Sequence, residues 1–132
     1  MTSKPISTSQ LTGIALAYAV GHAMQRPMEI LPSEYGSGPR LFVIETHGLR
    51  PFRPDRDPGE AWALFCRYGQ QARLELHFHY NGASCLQAGI RTGHTADRMV
   101  TAGLRAMVTH LHGQAIEIPI QLLDTEQQEG AA

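Results

Sequence analysis

The spacing of apolar residues changes along this chain, and each change predicts an element. Toward the C-terminal end, Ala96, Val100, Gly103, Leu104, Met107, Val108 and Leu111 recur at steps of three and four. Asp97, Arg98, Thr101, Arg105, Thr109 and His112 fall on the opposite side. That periodicity predicts an amphipathic helix with its apolar stripe in the core. Thr95 stands where an N-cap hydroxyl accepts from the first backbone N–H groups, and Asp97 adds negative charge at the positive end of the helix dipole. Gly113 is suited to a left-handed helix stop. Ile116, Ile118 and Ile120 then alternate with Glu117 and Pro119, the period of a half-buried strand. Pro119 has no N–H for a ladder, so this strand ends there or lies at an edge.

Near the N-terminus the pattern is apolar almost all round. Ser9 caps a predicted helix over residues 10–25, stopped by Pro27, and no charged residue lies between Leu11 and Met24. Leu11, Ile14, Ala15, Tyr18 and Ala19 form one face; Leu16, Val20, Ala23 and Met24 form another. A helix of this kind is buried on both sides, and in a small protein the second side is expected to meet a partner subunit. Leu11, Ile14, Tyr18, Val20 and Met24 are accordingly the expected oligomer interface.

The middle of the chain alternates in shorter units. Residues 27–39, rich in Pro, Gly and Ser, read as a linker, and residues 40–45 as a strand. Residues 47–57, with Pro51, Pro54 and several arginines, read as an irregular surface loop. Asp57-Pro58-Gly59-Glu60 is a strong helix start, with an acidic N-cap, proline at the first position and Glu at N3. That helix is expected to bury Ala61, Trp62, Leu64 and Phe65, to pack Cys66, and to stop at Gly69. A hairpin follows. Leu74, Leu76, Phe78 and Tyr80 alternate with Glu75, His77 and His79; Leu86, Ala88 and Ile90 alternate with Cys85, Gln87 and Arg91. Matching the apolar faces favours a three-residue loop, 81–83, over an Asn81-Gly82 turn. The sum is an α+β domain: a small, mainly antiparallel sheet with about three helices packed against it.

Composition narrows this only in part. A chain of 132 residues allows one domain, here residues 10–123, between flexible tails at 1–9 and 124–132. Hydrophobic residues make up 42% and charged residues 17%, and the formal net charge of −1 gives no general pull toward nucleic acid or acidic membranes. The cysteines, Cys66 and Cys85, have no metal-ligand spacing, which fits free thiols and a cytoplasmic location. No apolar run approaches the roughly 20 residues that span a bilayer, and the apolar stretch 14–20 is too short and too weakly led by charge for a secretory signal.

Several clusters are candidates for chemistry. On the expected hairpin, His77 and His79 point the same way with Cys85 across from His79, a set of imidazoles and a thiol that suits Zn²⁺ or another transition metal. No His-Glu-x-x-His or paired Cys-x-x-Cys motif accompanies it, so no metal or other cofactor is assigned. Cys85 beside His79 is of the type used in thiol catalysis, but two opposed strands offer no oxyanion hole, and no catalytic residue is assigned. Arg50, Arg53 and Arg56, next to Phe52, form a nucleic-acid candidate, offset by Asp55 and Asp57. No phosphate-binding glycine loop lies between a strand and a helix.

Motifs in three stretches resemble the NinX-like family of tailed phages and prophages, whose biochemical activity is not established. Leu11-Thr-Gly-Ile-Ala-Leu-Ala-Tyr-Ala-Val20 is similar to that family's opening, and Asp57-Pro-Gly-Glu-Ala-Trp62 to its central helix start. Gly93-His-Thr, Gly103-Leu-Arg-Ala-Met-Val108 and Gly113-Gln-Ala-Ile-Glu-Ile-Pro119 resemble its close. Ala17 and Tyr18 stand where the family has Asp-Trp, and Gln114 where Asp is typical. The resemblance implies a phage or prophage accessory protein from a recombination-associated neighbourhood, without supplying catalytic residues. The resulting expectation is a non-enzymatic, self-associating protein, a homodimer that binds an unidentified protein partner away from membranes. The alternative is an accessory nucleic-acid-binding protein linked to phage recombination.

Overall fold

Helix α1, Gly13–Ala23, lies within the main hydrophobic core. The structure, a computed structural model, describes residues 2–33, 35–36, 38–79, 82–87, 90–91 and 99–123. The helix begins after a 3₁₀ turn at Thr8–Gln10, later than expected from Ser9. It ends in a Schellman arrangement, with Gln25 at φ 60° and the Arg26 N–H donating to the Gly21 carbonyl at 3.0 Å. Helix α2 spans Pro58–Ala72 and α3 spans Met99–Leu111. Among the described residues no helix is long and apolar enough to cross a membrane.

The fold is α+β, as the alternation of patterns predicts, but the strands form three small antiparallel sheets rather than one. Strand β1, Ser3–Ser7, pairs with β8, Ala115–Pro119, setting Ile6 opposite Ile116. Strands β2, Met28–Leu31, β3, Arg40–Glu45, and β4, Gly48–Pro51, form the second sheet in that order. Strands β5, Leu74–His79, β6, Gly82–Gln87, and β7, Ile90–Arg91, form the third.

Three segments expected to be irregular are therefore corrected. Residues 3–7 of the expected flexible tail form β1; the linker at 27–39 contains β2; the arginine loop at 47–57 contains β4. Each strand is tied by backbone hydrogen bonds to a more apolar neighbour, which a pattern inside one short segment does not reveal. The tail assigned to 124–132 and the helix start at Thr95, Ala96, Asp97 and Arg98 lie outside the described residues. Gly113 has φ +130°, and β8 ends at Pro119, both in line with expectation.

One hydrophobic cluster runs from Ile6 to Leu123 and holds Leu11, Leu16, Val20, Leu41, Val43, Phe52, Leu104, Met107, Val108, Ile116 and Ile118. It explains α1. The helix meets α3, β3 and β8 inside the same chain; Ala15, Leu16, Ala17, Ala19 and Val20 are buried, while Ile14, Tyr18, Ala23 and Met24 stay partly exposed. Arg105, expected in solvent, is only 8% exposed, and its Nε donates to the Leu11 carbonyl at 2.8 Å. Thr8 is also buried, its hydroxyl 2.9 Å from that of Thr109.

Candidate functional site

Helix α2 forms one wall of an open, largely apolar groove. Its cap is the one the sequence predicts: the Asp57 side chain accepts from the Glu60 N–H at 3.3 Å, with Pro58 at the first helical position. The helix does not stop at Gly69. It continues to Ala72 and closes at Arg73, which is left-handed at φ 53° and whose N–H donates to the Gln70 carbonyl. Two stripes result. Ala61 and Leu64 are buried, with Phe65 and Tyr68 packed on the core at the following helical steps. Trp62, Cys66, Gly69 and Arg73, spaced by four, three and four, form the adjacent stripe and face away from that core.

This second stripe and strand β5 enclose a groove of about 530 Å³, lined by Trp62, Phe65, Cys66, Gly69, Gln70, Arg73, Leu74 and Leu76. Trp62 is 65% exposed, where burial was expected, and the expected packing of Cys66 gives way to an exposed free thiol. Gly69 leaves the middle of the groove without a side chain. Arg73 is the only charged residue among the described residues that line it. Strand β5, which contributes Leu74 and Leu76 to the groove, is an edge of its sheet among the described residues.

The hairpin register corrects the expected His/Cys cluster. His79 pairs with Gly82 and Leu76 with Cys85, so positions 82 and 83 belong to a strand rather than to a loop at 81–83. Directly opposed residues share a face, and faces alternate along a strand. Position 85 therefore shares its face with positions 74 and 76, and positions 77 and 79 occupy the other. Leu74 and Leu76 pack with Ala102 and Ala106 of α3, while His77 is exposed. The side chains of His79 and Cys85 lie outside the described residues. Among the described residues no group of three or more His, Cys, Asp or Glu is placed to hold a metal ion.

The arginine triplet is divided. Arg50 bridges Glu45 at 2.8 Å and Glu60 at 3.2 Å. Burial alone would lower its pKa; the hydrogen bonds to the two carboxylates outweigh that and hold it above the ordinary value. Arg53 forms a two-pronged pair with Asp55, both contacts at 2.8 Å. Phe52 is fully buried and cannot stack on a base. Arg53 and the exposed Arg56 instead share a second pocket, of about 360 Å³, with Arg40 and Phe42 of β3, two residues that pattern reading left as strand.

Two of the five residues of the expected oligomer interface are closed off inside the protomer. Leu11 and Val20 are buried within the protomer, and Ile14, Tyr18 and Met24 pack against the same core cluster. Tyr18 stacks on His22 with ring centroids 5.8 Å apart, and burial raises its pKa.

These features define an α+β domain whose described surface offers an apolar groove and an arginine-lined pocket. No protein-family model matches the chain, and no curated protein matches it either. The description drawn from the NinX-like resemblance is corrected accordingly. Phage or prophage origin, a cytoplasmic location and a homodimer gain no support from these comparisons, and the α+β fold alone is retained.

Proposed function

We propose that this chain is a non-catalytic binding domain that captures an extended, apolar and acidic peptide segment of a partner protein in the groove between α2 and β5. The observation that carries this reading is Trp62, 65% exposed at the rim of an apolar groove that the domain's own folding leaves open. Large aromatic side chains in such positions are the usual anchors of protein recognition. An extended segment matches the edge of β5 by strand addition, with alternate side chains entering the groove. Arg73, with no carboxylate among the residues lining the groove, selects negative charge on that segment.

Trp62 is the only tryptophan, so its emission reports the groove directly. Titration with a length-matched panel of apolar peptides, acidic or basic, is expected to give a saturable blue shift with the acidic set alone. Leu76→Lys, checked for folding by circular dichroism, is expected to abolish that shift. Equal response to basic peptides, or an undiminished shift in Leu76→Lys, would refute the reading. So would a shift that appears on raising protein concentration without peptide, since a second copy would then be the occupant.

A further inference from the structure

Phe52 and Pro54 are both buried and flank Arg53, so the turn that follows β4 is anchored on either side of that arginine. The turn is closed by the N–H groups of Arg56 and Asp57, which donate to the Arg53 carbonyl at 3.1 and 3.0 Å. Asp55, itself nearly buried, grips Arg53 through Nε and Nη2, leaving three of the fork's five N–H donors outside that pair. A guanidinium held in this way has little rotamer freedom left to lose when it meets an anion. From β3, Arg40 lies over the Phe42 ring, its central carbon 5.7 Å from the centroid, and its Nε donates to the Pro32 carbonyl at 3.4 Å. The result is a pocket of about 360 Å³ with Arg40, Arg53 and Arg56 in its lining, walls of Pro39, Phe42 and Pro51, and no carboxylate among the described lining residues.

We infer that this pocket is a binding site for a small phosphomonoester carrying a flat ring, of the size of a nucleoside monophosphate. The volume lies at the lower end of the range for small-ligand sites, roughly 300–1,000 Å³. Guanidiniums recognise phosphate oxygens by paired, charge-assisted hydrogen bonds, and the planes of arginine, phenylalanine and proline accept a flat ring. Among the described residues, Asp55 is already bound to Arg53, and Glu29 pairs with Phe42 across β2 and β3. Three arginines share this one pocket although the whole chain carries −1. The same balance argues against a polymer. The cations meet at one pocket rather than forming a track, Arg50 is consumed by Glu45 and Glu60, and a near-neutral protein has no field to hold a phosphate backbone.

The test is a titration of the full chain with adenosine monophosphate, followed by backbone amide shifts at near-physiological salt. Adenosine, inorganic phosphate and a single-stranded oligonucleotide serve as comparison probes. Saturable shifts at the amides of residues 40–42, 52, 53, 55 and 56 are expected. Adenosine should bind about tenfold more weakly, and Arg56→Glu, an exposed substitution, should weaken adenosine monophosphate by about tenfold or more. Arg67→Glu, on α2 and outside the pocket, should leave that binding unchanged. The inference is overturned if adenosine binds as well as its monophosphate, if Arg56→Glu binds as the parent does, or if the shifts map to the Trp62 groove. Binding of the oligonucleotide alone would also overturn it, by assigning the arginines to a polymer.

Discussion

Replacing Gly69 and, separately, Gly103 by alanine makes the same chemical change in two helices, yet the surroundings demand opposite outcomes. In a helix interior alanine is favoured over glycine by about 0.8–1.0 kcal/mol. At Gly69 nothing lies within 4 Å of the added methyl group and φ is not positive, so the full gain is available. At Gly103 the added carbon would sit 2.5 and 2.7 Å from Cζ and Cε1 of Phe65, where α3 meets α2. Overpacking of that kind costs about 1–3 kcal/mol, which cancels or exceeds the helix gain. For a domain of this length each kcal/mol moves Tm by about 3–5 °C. Gly69→Ala should therefore raise Tm by about 3–5 °C, Gly103→Ala should leave it unchanged or lower it, and the two should differ by at least about 3 °C. Thermal melts followed at 222 nm, with urea midpoints as a second measure, decide this. If Gly69→Ala melts below the parent, the helix stops at Gly69 with positive φ, as the bare sequence predicts, and the continuous α2 that builds the groove is refuted.

Two further outcomes follow from buried polar groups. Arg105→Met keeps the long stem but removes the donor to the Leu11 carbonyl; a loss of about 1.5–3 kcal/mol is expected in urea denaturation, and an equally or more stable variant would show that the bond does not tie α3 to the start of α1. Burial raises the Tyr18 pKa, so the neutral phenol is the form the fold prefers: its contribution is intact below the ordinary value of 10.0 and is lost as pH rises through the higher folded value. Urea midpoints should thus decline above pH 10, less steeply in Tyr18→Phe, and identical alkaline profiles would dismiss the effect.

What the sequence revealed is what periodicity encodes. The α3 stripe, the Asp57 cap, β3 and β8 are visible because enough apolar repeats accumulate within each to exclude the other period. Strands β2 and β4 are four residues each and lie beside proline, too few repeats to show a period, and β1 contributes only Ile6. Their identity is set by partners: Ile30 opposite Leu41, Leu49 opposite Ile44, Ile6 opposite Ile116. The hairpin failed for a related reason. Matching apolar residues across it assumed that one face had to be uniformly apolar, whereas the observed register sets Glu75 against Leu86 and Leu74 against Gln87. The groove stripe was readable in principle. Ala61, Leu64, Phe65 and Tyr68 already complete a core-facing stripe, which leaves Trp62 about 100° away from Ala61 on the wheel. The arginine pocket was not readable, because it joins β3 to the turn after β4 through a strand pairing that the sequence hid.

Arg105 and Trp62 each break the rule that apolar side chains are inside and charges outside, and the difference between them bears on function. Arg105 is buried, but its guanidinium meets the Leu11 carbonyl and bridges the entry of α1 to the middle of α3. Its burial is therefore accounted for by folding, since a paired polar group inside is stable. Trp62 is the reverse case. Its indole is exposed on α2, and the core beneath that helix is already filled by Ala61 and Leu64. Folding gains little from an aromatic residue there: a position 65% exposed recovers only a minor part of the roughly 1.5–3 kcal/mol that full burial of a large side chain provides. Glycine at 69, one helical face along, makes α2 weaker than alanine would and keeps the groove open. Both choices run against stability at neighbouring positions on one stripe. Departures from local consistency that folding does not repay concentrate where a protein does something else, and here they converge on the surface assigned to the partner peptide.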